Sequence, residues 1–552
     1  MKKYLAAVPL LFALSAAIAN AQFSETVEVR VTNVEAIVVD KAGKPVSGLT
    51  KDDFEVYENG VRQELSNFTE IRENVPAATL TPGVTPAEPA TAEQVARDPR
   101  RRLITVFVDN ASLEMGNRAA VLPALQAFLR RNVRPGDGVS IYTWGYSLQE
   151  ELAPTSDPAS IDAAVARLPK RALSAGGDWR QHFEYEIAQL IESYKGRVPP
   201  ELPPIGSAIT TASGYANRNV AAMRQKSEAL KSVIASLRGV DARKVLVLLT
   251  QSLETNPGEY PFLFIDAIRE QFEGNFSAMS EARAYDLPEL PNEISAAANA
   301  AGVTLYPINV SGKFTDTMQR DASSNAELTL RPLLIAQTST VNLHSIAVNT
   351  GGLATTGSTN WKLAFDTIAN DLNIYYSLGY RTSGERKDRT KNVDVRLKKK
   401  GYTVRTRKAI VERTAASEMT DSVTANLFHD PSHNDLGVEA TIDEASTPAG
   451  GDNVVIPVRI TIPTGTLTLI PDGDDLAGSF SLFAAFLRQD GAVSRVNRQT
   501  HQFRFPAESL PRRNELTINL NVTADPRTGS ISVGVMDEAS RATGFAVVKV
   551  NE

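Results

Sequence analysis

The pattern of apolar and polar positions changes twice along the chain. Between residues 26 and 73 the two alternate, with Val27, Val29 and Val31 separated by polar residues. That period of two predicts strands with one buried face. Asn59-Gly60 separates the run Phe54–Tyr57 from the run Val61–Phe68. Both turn residues tolerate positive φ, so the segment reads as a tight hairpin. From residue 101 the runs become continuous, at Leu103–Val108, Val139–Trp144, Val245–Leu249 and Val303–Val310. Strands buried on both faces read this way. Stripes at helical spacing lie between them. One is Val121, Leu125, Phe128 and Leu129; another is Ile161, Val165 and Leu168, behind Asp157 as cap and Pro158 at the first helical position. Longer helices are expected over about 179–195 and 217–238, and shorter ones over about 292–301, 341–350 and 361–372, with 253–290 irregular. The alternation predicts an α/β fold with a doubly wound, mostly parallel sheet. From 374 to 411 the period returns to that of hairpins. Beyond 412 come short alternating runs such as Val454–Ile462, Phe480–Leu487 and Leu516–Val522, with no long helical stripe. A β-sandwich is expected there.

Composition adds boundaries and a compartment. Residues 74–100 carry Pro76, Pro82, Pro86, Pro89 and Pro99 among Ala and Thr, as in an exposed linker. The organisation expected is then 1–21 export signal, 22–73 β module, 74–100 linker, 101–373 α/β domain with insertions, 374–411 hairpins completing the first module, and 412–552 sandwich. The signal is read from Lys2 and Lys3, the apolar run Leu5–Ala19, and the small residues of Ala19-Asn20-Ala21 before Gln22. It places the protein in the periplasm, at the cell surface or outside the cell. The chain contains no cysteine, which removes disulfides, thiolate metal sites and a catalytic thiol. The formal net charge of −6 gives no general attraction to nucleic acid. No stretch after the signal approaches the ~20 apolar residues of a transmembrane helix.

Four phrases and their order carry a resemblance. Phe107-Val108-Asp109-Asn110-Ala111-Ser112 ends one buried strand, and Arg134-Pro135-Gly136-Asp137-Gly138-Val139-Ser140-Ile141 opens the next. Arg243-Lys244-Val245-Leu246-Val247-Leu248-Leu249-Thr250 and Ala301-Gly302-Val303-Thr304-Leu305-Tyr306-Pro307-Ile308 follow. Together they resemble a von Willebrand factor type A domain. The flanking blocks Pro45–Gly60 and Tyr375-Tyr376-Ser377-Leu378-Gly379-Tyr380 resemble the VWFA-related acidobacterial domain family of exported proteins. The resemblance covers about residues 26–411.

It implies a Mg²⁺ or Mn²⁺ site at the carboxyl ends of the central strands, opened by an Asp-x-Ser-x-Ser pattern. Asp109 fits the first position. Ala111 and Leu113 hold the serine positions, Ser112 stands one residue out of register, and Gln251 follows Thr250 where an aspartate is usual. Gly176-Gly177-Asp178 is a vestige of the middle loop. The candidate metal set is therefore Asp109, Ser112 and Thr250, one carboxylate with neutral oxygens, which is a poor cage for a divalent ion. The site reads as degenerate, and no cofactor is expected. The same face still gathers loops at strand ends. Asn110, Gln251, Tyr260 and Phe262 are its candidate partner contacts, and Trp179, Phe183, Tyr185 and Phe264 are further aromatic residues of the insertions.

Other constellations lead nowhere. The five histidines form no metal-binding spacing, and His429 with His433 reads as a surface turn. Gly-x-Ser-x-Gly, phosphate-loop and dinucleotide patterns are missing. Asp472, Asp474 and Asp475 read as an ordinary turn, and the basic residues Arg386, Lys387, Arg389, Lys398, Lys399 and Lys400 as a solvated β face. The function expected is non-enzymatic binding of a protein partner. The alternative is an exported hydrolase acting on envelope polymers, through a carboxylate pair or a histidine-based site that the sequence does not expose.

Overall fold

The computed structural model describes residues 30–72, 101–311, 339–431 and 433–550, apart from 114, 146, 171–178, 198–200, 383–386, 443–445, 451–452, 490–492 and 507–514. The export signal, the 74–100 linker, Gly176-Gly177-Asp178 and Arg386 fall outside these residues. Architecture is mixed α/β, with one parallel-containing sheet and several antiparallel ones.

The first strands are β1 (Arg30–Val39), β2 (Phe54–Glu58), β3 (Val61–Gln63) and β4 (Leu65–Arg72). The β2–β3 turn has Asn59 at φ 49° and Gly60 at φ 81°, the pair of left-handed residues a two-residue hairpin requires. The strand returning from it breaks at Glu64. β3 stays with β2, and β4 leaves for a second sheet.

The α/β region then contributes β5 (Arg102–Asp109), β6 (Gly138–Trp144), β7 (Leu148–Thr155), β8 (Arg243–Thr250) and β9 (Val303–Asn309). They form one sheet in the order β7-β6-β5-β8-β9, parallel except for β7. Every residue of β5, β6 and β9 is buried. Helices α1 (Met115–Asn132), α2 (Pro158–Arg167), α3 (Trp179–Lys195), α4 (Ile205–Ser236), α5 (Glu259–Ala267), α6 (Ala278–Arg283), α7 (Leu290–Ala301), α8 (339–349) and α9 (Trp361–Asn373) accompany it. On one face Leu125 and Phe128 of α1, Val165 of α2 and Phe365 of α9 pack against Ile104, Val106 and Val247. On the other, Leu230 and Val233 of α4, Ile294 of α7 and Ile346 of α8 pack against Phe107 and Leu246. Side chains of this size contribute about 1.5–3 kcal/mol each on full burial. After α8 the chain runs so close to β9 that a Cβ on Gly352 would stand 1.9 Å from the Leu305 carbonyl oxygen.

Three stretches of the α/β region differ from the sequence reading. β7 is an antiparallel edge strand whose sequence, LQEELAPT, is too polar to register as one. The irregular stretch 253–290 contains α5 and α6. α5 is apolar along most of its length, with Phe262, Leu263 and Ile265 all buried, so it shows no two-faced stripe. α4 begins at Ile205 rather than near 217 because Ala208, Ala212 and Tyr215 pack into a helical core with Phe183 and Phe262. Tertiary burial overrides the poor propensity of its Gly, Ser and Thr residues.

Strands β10 (Ile374–Thr382), β11 (Arg389–Leu397), β12 (Thr403–Arg405) and β13 (Ala409–Glu412) follow α9. β10 inserts between β1 and β4, and β11 pairs with β2. Segments on both sides of the α/β region therefore build one β module. Its core holds Val34, Phe54, Val56, Tyr376, Leu378 and Val395. Tyr376 anchors the long β1–β2 connection by donating to the Val46 carbonyl (2.8 Å). Two ion pairs tie module to domain. Glu35 of β1 meets Arg243 at the start of β8 (3.2 Å), and Arg405 of β12 grips Asp371 of α9 at 2.6 and 2.8 Å.

The C-terminal region opens on a helix, α10 (Ala415–Ala425), where only strands were expected. Thr414 caps it by accepting from the Ser417 N–H (3.2 Å), and its short apolar face, Met419 and Val423, packs on Phe483 and Met536. Two sheets then face each other around Ile456, Val458, Phe480, Leu482 and Val533. Asp472 and Asp475 each pair with Arg504, as an ordinary hairpin turn. Lys399 pairs with Asp53 and Arg389 with Glu412, so part of the basic run is spent on neighbouring strands. His433 bonds Thr543 Oγ1 (2.8 Å). His429 is not on a surface turn but buried just past the end of α10, where its backbone N–H donates to the Ala425 carbonyl (3.0 Å), and desolvation, with Arg101 and Lys244 nearby, pushes its imidazole down to about 4. Among the described residues no helix is long and apolar enough to cross a membrane.

Two outcomes follow. Arg102 and Asp137, almost fully buried at the amino ends of β5 and β6, bond at 2.6 Å, and Arg102 also donates to the Asn132 carbonyl. Arg102→Met removes the short buried partner and leaves the carboxylate to Arg134 at 3.6 Å, and should cost about 3 kcal/mol in chemical denaturation. For His429, the depressed folded pKa gives stability that is complete above the ordinary 6.5 and falls away as pH drops toward about 4. The fall should reach roughly 3 kcal/mol. His429→Gln should remove that slope between pH 6.5 and 4 in denaturation curves.

Candidate functional site

Asp109 is the last residue of β5, and the chain turns sharply after it. The Ser112 and Leu113 N–H groups both donate to the Asp109 carbonyl, at 3.1 and 3.2 Å. This turn swings the Ser112 side chain back over the strand end. Its Oγ donates to Asp109 Oδ2 (2.6 Å) and accepts from the Gln251 N–H (3.1 Å). Thr250, ending the adjacent strand β8, donates its hydroxyl to the same Oδ2 (2.7 Å). The structure thus brings Asp109, Ser112 and Thr250 together, and Ser112 takes part although it is out of register in sequence.

A fourth member is Lys226 of α4. Its Nζ donates to Asp109 Oδ2 at 3.0 Å and to the Ser252 carbonyl at 2.8 Å. Asp109 has no exposed surface, and the Lys226 side chain is 10% exposed. One carboxylate oxygen therefore receives two hydroxyls and an ammonium. The other, Oδ1, is buried without a partner. Sequence reasoning passed over Lys226, yet a signal was present. It lies three, four and seven residues before Ala229, Leu230 and Val233, on the apolar face of its helix. A lysine in such a stripe needs a buried acceptor.

This set does not fit the divalent ion that the resemblance implies. Mg²⁺ demands near-octahedral oxygen coordination at about 2.0–2.1 Å. Here a single carboxylate is present, its Oδ2 already accepts three protons, and a fixed positive charge stands against it. Among the described residues no group of three or more His, Asp or Glu is placed to hold a metal.

The candidate partner contacts divide. Gln251 is half-buried beside the cluster, with its Nε2 buried and unpartnered. Asn110 is buried, and its Oδ1 accepts from Arg118 (3.5 Å), so it secures the loop to α1 rather than facing outward. Phe262 has no exposed surface and stacks on Tyr285 with ring centroids 5.6 Å apart; it belongs to the core of the insertion helices. Phe183 is buried there as well. Tyr260 is half-buried. It meets Trp179 edge-on at 5.6 Å, lies under the Arg180 guanidinium and donates to Glu184, and burial together with Glu184 raises its hydroxyl pKa.

α3 to α6 form a helical cap beside the strand ends. Arg180 reaches Glu254, three residues beyond Gln251 (3.3 Å), while α8 holds the same loop by Ser339 on the Leu253 N–H and Asn342 on its carbonyl. α4 serves both bodies: Ala208, Ala212 and Tyr215 pack in the cap, and Leu230, Val233 and Ile234 under the sheet. At the cap rim, burial and the carboxylates of Asp286 and Glu254 raise Glu259. Glu254 is spent on Arg180, and Asp286 accepts from Asn256 Nδ2 (2.9 Å).

Comparisons with known proteins add little. No family model matches, and no curated protein matches. Among solved structures, proximal thread matrix protein 1 from the mussel byssus is 12% identical over 49% of this chain and 48% of its own, at a TM-score of 0.24, so this chain spans about half of that protein. Manganese-loaded TRAP protein of Plasmodium vivax is 11% identical over 56% of this chain and 94% of its own (TM-score 0.23). The pilus adhesin SpaC of Lactobacillus rhamnosus GG, in its open conformation, is 8% identical over 93% of this chain and 61% of its own (TM-score 0.27). At such TM-scores these likenesses carry no argument about this chain.

Proposed function

We propose that the chain is an exported, non-enzymatic protein-binding protein, in which a type A-like α/β domain supports a metal-independent contact face at the strand ends and the helical cap. One observation carries the reading: the hydroxyls and the ammonium at the ends of β5 and β8 are committed to one carboxylate oxygen, Asp109 Oδ2. Catalysis needs a nucleophile beside a free base, or an acid held for donation. Ser112 and Thr250 instead commit their protons to Asp109, and Lys226 neutralises that carboxylate. No member is poised toward a substrate.

The cap supplies what binding requires. Aromatic and arginine side chains concentrate binding energy at protein interfaces. Trp179, Arg180 and Tyr260 form one such cluster at the rim, and Tyr185 on the same α3 helix is 64% exposed. Export rests on the amino-terminal charge, apolar run and cleavage residues, and the acidic net charge is consistent with a protein partner rather than nucleic acid. A hydrolase acting on envelope polymers has one observation in its favour, the raised carboxyl of Glu259. Its neighbours Glu254 and Asp286 are already engaged, which leaves it without a free second carboxylate.

The test is capture of envelope proteins on immobilised mature protein, with EDTA or with Mg²⁺. Retention should be equal in both and fall about tenfold in the Arg180→Ala/Tyr185→Ala variant, a loss of ~1.4 kcal/mol. Retention that collapses in EDTA, or that ignores the cap substitutions, would overturn the reading. Polymer hydrolysis lost in Glu259→Gln would favour the enzyme instead.

A further inference from the structure

We infer that Lys226 is the resident cation of this centre: its ammonium takes the place of the divalent ion, and its presence excludes that ion. The inference rests on the metal-independent reading of the face but makes a separate claim, namely which group keeps the metal out.

Three observations carry it. First, the ammonium is bonded to the Asp109 carboxylate, the group that a metal would claim. Asp109 Oδ2 accepts Lys226 Nζ at 3.0 Å together with the Ser112 and Thr250 hydroxyls. Asp109, Ser112 and Thr250 are the candidate metal set read from the sequence, and the lysine sets a positive charge against them. Second, the lysine is fixed. Its side chain is 10% exposed, and the Ser252 carbonyl holds the same nitrogen at 2.8 Å. An exposed lysine would swing away and leave the carboxylate to an incoming ion; this one is enclosed by its helix and by the loop after β8. Third, the charge itself works against a second cation: a divalent ion brought to the same carboxylate stands close to the Lys226 ammonium and is repelled by it.

The reverse follows from the same geometry. Truncating Lys226 leaves the Asp109 carboxylate, the Ser112 and Thr250 hydroxyls and the Ser252 carbonyl around an enlarged polar space. Hard oxygens and one negative charge suit a hydrated Mn²⁺ held weakly, with a Kd on the order of 1 mM.

The experiment is Mn²⁺ titration followed by electron paramagnetic resonance and by thermal melting, on the full mature chain. Wild type and Lys226→Arg, which keeps the charge, should take up no Mn²⁺ at millimolar concentration. Lys226→Ala should bind it at least tenfold more tightly than wild type and melt higher with the ion than without. Lys226→Ala/Asp109→Asn should lose that binding while remaining folded. Should Lys226→Ala not fold unaided, Lys226→Ser is titrated beside it, and folding restored by Mn²⁺ in either supports the inference. Uptake by wild type at the Asp109 cluster overturns both this inference and the metal-independent face. No uptake by wild type and none by either lysine variant, folded or not, overturns the inference alone and leaves the binding reading standing.

Discussion

A carboxylate with no exposed surface at the end of a parallel sheet has to be neutralised, and here one lysine does it. Asp109 occupies the last position of β5, where the strands on either side also end and water cannot reach. Removing one partner of such a pair is far more costly than the pair is worth, because the remaining charge stays buried. Lys226 is thereby made a requirement of the fold. The requirement reaches further than two residues, since Lys226 sits on α4 between the part that packs under the sheet and the part that builds the cap. With the ammonium on Asp109, any sliding or rotation of the helix on the sheet would break the pair. The cap is held in register with the loops after β5 and β8.

The same logic of shared elements governs the larger architecture. The β module is incomplete in either half of its sequence: β1 and β4 are neighbours only through β10, which comes after the whole α/β region. An inserted domain on two connections would hinge about them. Here Glu35–Arg243 and Arg405–Asp371 brace the amino-terminal side of the sheet against β1 and β12. Arg243 also lies over the Tyr375 ring at 3.6 Å, so the brace is packed as well as charged. The amino-terminal end of the sheet is therefore the one braced on the module, and the opposite end carries the loops after β5 and β8.

The fold was more legible than the site, for physical reasons. Strands buried on both faces leave a run that little else produces, and Leu103–Val108 marks β5 to within a residue at each end. The Asp157-Pro158 start of α2 is read just as directly, because the Asp157 carboxylate does accept from the Ser160 N–H (2.8 Å). Elements carried by tertiary packing stayed hidden. β7 is polar because it is an edge, α5 lacks a polar face because the cap encloses it, and α10 has too short a stripe to declare itself. At the site, Asp109 and Thr250 were legible from strand ends, and Ser112 entered as a residue out of register. The turn that brings Ser112 back depends on two hydrogen bonds to the Asp109 carbonyl, and a spacing rule does not contain them. Phe262 failed as a contact because an aromatic residue in an insertion serves a core as readily as a surface. Lys226 is more than a hundred residues from Asp109 in sequence, so only its misplaced charge on an apolar stripe gave it away.

A tethered cation also changes where recognition can reside. A bound ion is exchangeable and offers open coordination positions to whatever approaches. The Lys226 ammonium offers little, since two of its protons are spent on Asp109 and Ser252 and its side chain is largely covered. Ser112 and Thr250 are spent likewise. Buried ion pairs add little net stability against apolar replacements, and their best-supported use is to fix one arrangement among several. At these strand ends that use is evident: the cluster fixes two loops and a helix, and it consumes its own polar groups in doing so. On the binding function proposed above, contacts with a partner come from groups that the cluster positions but does not consume. The Trp179–Arg180–Tyr260 rim is such a group, and Arg180 reaches the loop after β8 through Glu254.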